Sequence, residues 1–163
     1  MSFSFCFEQE KVKQMCTLHL ICGLPGSGKT TLAKELESSY RALRLSPDEW
    51  ISQLIKDKRD KDELDRLRAP VERVIWELAQ KLLTSGTSVI LENGFWSKQE
   101  RLDYLRAAKQ VDAKVKVVLY YLDVPIHQLW DRIQQRNLEL PKDCFHITHA
   151  ELDLWLSWFN ATS

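Results

Sequence analysis

The chain has 163 residues, 44% of them hydrophobic and 28% charged, enough for one domain with a proper core and too few for two. Lysine plus arginine equals aspartate plus glutamate, 23 each, so no global basic field draws it onto nucleic acid or an anionic membrane surface. No apolar run approaches the ~20 residues needed to span a bilayer, and there is no internal repeat.

The opening MSFSFCF is apolar but lacks the positive flank and cleavage site of a signal peptide. Residues 1–15 read as a tail before a domain spanning 16–163. The four cysteines, Cys6, Cys16, Cys22 and Cys144, are scattered with no CxxC pair, which points to reduced thiols and a cytoplasmic setting. His146 and His149 stand alone without a third ligand nearby, so no metal site is expected there.

Thr17–Cys22 alternates and then runs apolar into glycine, the pattern of a buried strand. A glycine-rich turn follows, then a helix over Thr31–Ser38 and a short second strand over Arg41–Leu45. Ser46-Pro47-Asp48-Glu49 predicts a helix start, with serine as N-cap, proline at the first position and glutamate closing a capping box. The mixed-charge run KDKRDKDELDRLR (56–68) reads equally as a solvated helix, a mobile connection or a substrate-closing lid. Pro70 opens the next helix, whose Val71, Val74, Ile75, Leu78 and Leu82 fall at core spacing. Gly86 ends it, and Thr87–Leu91 is a third strand. Ser97 with Glu100 forms a capping box for a helix through Lys109. Val115–Leu122 is a fourth strand, and Ile126, Leu129, Trp130 and Ile133 mark the helix after it. Thr148 with Glu151 caps a last helix carrying Leu152, Trp155 and Trp158, both tryptophans being expected in the core. Strands alternating with helices predict an α/β fold of three layers, with a mostly parallel sheet of four to five strands between helices.

Gly23-Leu24-Pro25-Gly26-Ser27-Gly28-Lys29-Thr30 satisfies the pattern G-x-x-x-x-G-K-[ST] in full. Glycines let successive N–H groups turn inward around phosphate oxygens, and the following helix adds the positive end of its dipole. Lys29 is expected on the β- and γ-phosphates, and the Thr30 hydroxyl on Mg²⁺; Thr31 completes the phosphate-binding segment. A dinucleotide-binding reading fails, because Thr31 stands where the third glycine of G-x-G-x-x-G is needed.

Binding a nucleotide differs from transferring its phosphate, which needs an acid toward the acceptor, support for the metal, and cations for developing charge. Asp48 follows the second strand and Glu92 closes the third, and in a parallel sheet both carboxyl ends face the ligand crevice. The plain alternatives are a helix-dipole acid for Asp48 and a solvent-facing strand end for Glu92. Arg132 and Arg136, four apart, share one flank of a helix, either as a lid over a nucleotide or as a solvated edge.

Five segments, ICGLPGSGKTTLAK, RLSPDEW, VILENGFWSKQER, YLDVPIHQLWDRIQQRN and FHITHAELDLW, occur in a recognisable order and spacing. The chain resembles the small P-loop kinases grouped with the 5′-polynucleotide kinase domain, chloramphenicol phosphotransferase and zeta toxins, and is most similar to their bacterial ATP-binding branch. The likeness spans about Thr17 to Phe159. It implies a P-loop fold and Mg-ATP as donor, with Asp48 as base toward the acceptor hydroxyl and Arg132 and Arg136 as lid arginines on the donor phosphates. Glu92 falls where that branch usually has aspartate. Ile51 stands where polynucleotide kinases place an arginine three residues after the catalytic aspartate, which argues against a nucleic-acid acceptor. The expectation is a kinase acting on a hydroxyl of a small molecule. Its rivals are a polynucleotide 5′-hydroxyl kinase, which calls for a basic groove, and a slowly hydrolysing nucleotide-dependent binding or toxin-type module. That module calls for an exposed apolar patch at the tryptophan-rich end.

Overall fold

The structure, a computed structural model, describes residues 15–159; the expected tail lies outside them up to residue 14. Four strands form one parallel sheet: β1 (Thr17–Cys22), β2 (Leu43–Leu45), β3 (Val89–Gly94) and β4 (Lys116–Tyr121), in the order β2-β3-β1-β4. Leu18 pairs with Val89 on one side of β1 and with Val117 on the other. Because all strands run the same way, the loops leaving their carboxyl ends collect on one rim.

Six helices complete the described residues: α1 (Lys29–Tyr40), α2 (Pro47–Leu54), α3 (Lys61–Thr84), α4 (Lys98–Val111), α5 (Ile126–Glu139) and α6 (His149–Trp158). Strand alternation sends Leu18, Leu20, Val89 and Leu91 to one face, where they pack with Leu64, Val71, Ile75, Ala79 and Leu83 of α3 and Ala108 of α4. Ile21 and Ile90 take the other face with Ala33 and Leu36 of α1. Burying each such leucine or isoleucine stabilises the fold by roughly 1.5–3 kcal/mol. The three layers expected of the sequence are therefore present, with four strands among the described residues. No helix there is long and apolar enough to cross a membrane.

Several local expectations are corrected. The mixed-charge run is helical from Lys61, so Pro70 lies inside α3 rather than at its start. Asp60 caps that helix by accepting from the Glu63 amide at 2.9 Å, and Pro70 is solvent-exposed, so the carbonyl it leaves unbonded faces water. The second strand begins at Leu43, because α1 runs on to Tyr40 and Arg41 closes it in the left-handed region (φ 48). The capping boxes at Ser97 and Thr148 differ in completeness: Ser97 accepts from the Glu100 amide at 3.0 Å, whereas Thr148 and Glu151 bond reciprocally. Ser46 is the N-cap of α2 but makes no capping side-chain bond. Its intended partner Glu49 turns to Arg44 instead, 2.6 Å away.

On α6, Leu152, Trp155 and Leu156 share the stripe that packs on Ile133 and Ile147. Trp155 also lies 5.5 Å from the Trp96 ring. Trp158 falls off that stripe and is 53% exposed, so only one of the two tryptophans joins the interior. In β1, buried His19 has its Nδ1 3.0 Å from the Tyr120 hydroxyl. Burial, helped by Lys116, lowers its pKa, which suits a neutral core histidine.

Candidate functional site

The glycine loop leaves β1 at the carboxyl rim and delivers the chain directly into α1. Gly26 (φ 82) and Gly28 (φ 98) take left-handed angles that side chains resist; Gly28 is also the N-cap of α1. The loop is braced at its first residue. The Gly23 amide donates to the Gly94 carbonyl at 3.0 Å, and Trp96 Nε1 donates to the Gly23 carbonyl at 3.3 Å. Leu24 is buried and Pro25 half-buried, while Thr30 and Thr31 are exposed in the first turn of α1.

Lys29 Nζ donates to the Leu24 carbonyl at 3.0 Å, folded back across its own loop. Burial is the main reason its pKa drops from 10.5 to about 8, with Arg136 adding to the fall and Asp48 and Glu92 opposing it. Asp48, Glu92 and Arg136 therefore each lie within electrostatic reach of Lys29. Arg132 donates from Nη1 to the Gly26 carbonyl at 3.1 Å, so α5 already leans on the glycine loop. Arg136 is half-buried, and its Nε is a buried donor with no partner.

The acids differ. Asp48 is largely exposed and pairs with Arg68 Nη2 at 3.1 Å. Glu92 is buried, its side chain 3% exposed, and Oε1 meets Arg44 Nη1 at 2.6 Å. Its Oε2 is buried without a partner, as is Ser27 Oγ. Thus Glu92 is neither a solvent-facing strand end nor wholly free, because one oxygen is committed to a salt bridge.

Beyond Asp48, on the α3–α4 side, lie Glu72, Glu100, Tyr104 and Asn93. Arg68 lies 3.8 Å from Glu72 as well. Burial raises the pKa of Glu72, with Glu100 and Asp48 adding to it and Arg68 opposing. Burial also raises Glu100, against its bond from the Ser97 turn and the charge of Arg101, and pushes the Tyr104 phenol up to about 12. Asn93 Nδ2 approaches the Tyr104 hydroxyl at 3.5 Å. Arg101, buried in α4, donates to the carbonyls of Phe95 and Trp96 at 2.9 and 3.2 Å. It thereby fixes the turn that braces the glycine loop.

Sequence reasoning missed Arg44, Arg68 and Arg101. Arg44 had a faint signal, a charge inside an apolar strand between Leu43 and Leu45. Arg68 was one arginine of a charged run, and Arg101 one of a capped helix. Among the described residues, no group of three or more His, Cys, Asp or Glu side chains is placed to hold a metal ion. His149 pairs with Asp153 at 2.9 Å.

A family model described as an AAA domain matches residues 18–162. The chain belongs to that family. Its fold is that of P-loop kinase-like domains. A kinase candidate from Chloroflexus aurantiacus is 24% identical with a TM-score of 0.72, over 90% of this chain and 80% of that one. Kti12 of Chaetomium thermophilum, solved with ADP-AlF3, is 18% identical with a TM-score of 0.61, over 88% and 80%. A chain of the Pnkp1/Rnl/Hen1 RNA repair complex is 16% identical with a TM-score of 0.66, over 91% of this chain but 45% of that one. At these identities the likeness establishes the fold. No curated protein sequence matches the chain.

Proposed function

We propose that the protein is an ATP-dependent kinase that moves the γ-phosphate of Mg-ATP to a hydroxyl of a small molecule. The observation that supports this reading best is the glycine loop at the carboxyl rim of the sheet, with Lys29 folded across it, Arg132 on its Gly26 carbonyl, and the charges of Asp48, Glu92 and Arg136 in reach of Lys29. The site fits a nucleotide phosphate. Ser27 Oγ, Arg136 Nε and Glu92 Oε2 are buried polar atoms without partners, and groups of that kind call for ligands. A magnesium ion bound with nucleotide draws mainly on phosphate oxygens and waters, so a single hydroxyl from Thr30 and one nearby acid suffice.

Bound Mg-ATP supplies the transferable phosphoryl group and part of its charge neutralisation. The loop amides from Gly23 to Gly28, with Lys29, Thr30 and Thr31, hold the donor phosphates. Lys29 must exchange its Leu24 carbonyl for phosphate oxygen. Asp48 accepts the proton of the acceptor hydroxyl, and Arg68, 3.1 Å away, holds its carboxylate in place. Arg132 and Arg136 meet charge that grows during transfer, and Glu92 Oε2 supports the metal or its water.

The acceptor side disfavours a polynucleotide. Arg68 stands between Asp48 and Glu72, and Glu100 lies within charge reach of Glu72, which is not the cation row that phosphate backbones require. Ile51 occupies the position where such kinases hold phosphate, and it is wholly buried. The test is a screen of neutral, amine-bearing and phosphorylated hydroxyl compounds for ADP formation from Mg-ATP. Stimulation by a small alcohol or sugar, absent in Lys29→Ala, supports the reading. Stimulation by oligonucleotide 5′-hydroxyls alone would replace it with the polynucleotide reading.

A further inference from the structure

Arg44 joins three elements that the proposed site draws on. Strand alternation turns it away from the face taken by Leu45 and toward α1, and its side chain is only 11% exposed. Nη1 meets Glu92 Oε1 within β3, and Nη2 meets Glu49 Oε1 in the first turn of α2, both at 2.6 Å. Nε lies 3.7 Å from Glu37 Oε2 on α1, whose other oxygen accepts from the Arg44 amide at 3.1 Å. One guanidinium therefore ties α1, which begins with Lys29 and Thr30, to α2, which carries Asp48, and to β3, which carries Glu92. A planar fork can engage several carboxylates at once with fixed geometry, which a lysine ammonium does not match.

The sequence also encodes a competing arrangement. Ser46 and Glu49 have the spacing of a capping box, yet Glu49 bonds Arg44 and Ser46 makes no capping side-chain bond. Arg44 thus holds the Glu49 side chain away from the cap of α2, and the residue beside Glu49 is Asp48. By holding Oε1 of Glu92, it also leaves only Oε2 without a partner.

We propose that Arg44 is the positioning residue of the transfer site. It fixes Glu92 by one oxygen and Asp48 through Glu49, and so keeps both acids in register with the glycine loop. This rests on the kinase reading above. Its loss lets Glu37, Glu49 and Glu92 repel one another and frees Glu49 to return to Ser46.

The experiment uses the full chain as wild type, Arg44→Lys and Glu49→Gln, with ATP titrated calorimetrically with magnesium and with a chelator, and with ADP formation followed in parallel. Partners that orient a metal-supporting group typically change metal affinity or activity by about 10–100-fold. In Arg44→Lys, ATP affinity without magnesium stays at the wild-type value while the gain on adding magnesium falls by about tenfold or more. In Glu49→Gln, where the Arg44–Glu92 pair survives, both affinities hold and the turnover number falls by about tenfold or more. A purely architectural arginine would instead lower the melting temperature and leave the magnesium gain and turnover number intact; that result overturns the proposal and leaves the kinase reading standing. Should Arg44→Lys fail to fold, Glu49→Gln decides alone, and an unchanged turnover number overturns the proposal. A wild-type protein that does not bind Mg-ATP overturns both.

Discussion

Replacing Lys29 by methionine separates what the lysine does for a nucleotide from what it costs the fold. The fall in its pKa from 10.5 to about 8, caused first by burial, corresponds to roughly 3 kcal/mol against the charged form. The side chain keeps part of its surface in water, which reduces the expected cost to roughly 1–2 kcal/mol. The folded pKa lies below the unfolded one, so this cost is full below about pH 8 and is relieved as pH rises from there toward about 10.5. Methionine keeps the aliphatic stem but loses the bond to the Leu24 carbonyl, worth about 1 kcal/mol. At about pH 7, Lys29→Met should therefore equal wild type in stability or exceed it by about 1 kcal/mol. By about pH 10 the difference should move by roughly 1–2 kcal/mol in favour of wild type. Denaturant unfolding of both proteins at the two pH values measures this, and titration of Mg-ATP into the variant should show no binding. A variant destabilised by more than about 2 kcal/mol at both pH values, independent of pH, would refute the reasoning.

Asp48→Asn should still bind Mg-ATP while transfer falls by about 10²–10⁴-fold, the usual contribution of a general base; an undiminished rate would return Asp48 to a helix-dipole acid paired with Arg68. Arg132→Ala and Arg136→Ala should each lower single-turnover transfer more than ATP affinity, because the charge they meet develops in the transition state. Were they a solvated edge, the substitutions would change stability by about 0.5 kcal/mol or less and leave the rate alone.

What could be read from the sequence was whatever its local chemistry encodes. The glycine loop is legible because each residue does its work within eight positions of the next. The same holds for the caps at Ser97 and Thr148 and for the alternation in β1 that sorts Leu20 from Ile21. The sequence failed where a contact outside the expected local pattern prevailed. Glu49 leaves its capping box because Arg44 offers a charge-assisted bond in a buried place. Pro70 sits inside α3 because the turns before it are held by Asp60 and by packing of Leu64. Arg44 reaches Glu92 across 48 residues and Arg68 reaches Asp48 across 20, and no periodicity announces such pairs. Trp158 misses the core because the stripe through Leu152 and Trp155 turns away before it reaches that residue.

The central claim is that phosphate leaves ATP for an organic hydroxyl, and the most direct test follows the γ-phosphate itself. Wild-type protein is incubated with γ-labelled Mg-ATP and the acceptor that best stimulates ADP formation, and the products are separated. The account predicts label on the acceptor in one-to-one ratio with ADP, lost in Asp48→Asn although that variant still binds ATP. Label recovered only as inorganic phosphate, at a rate the acceptor does not alter, would contradict it.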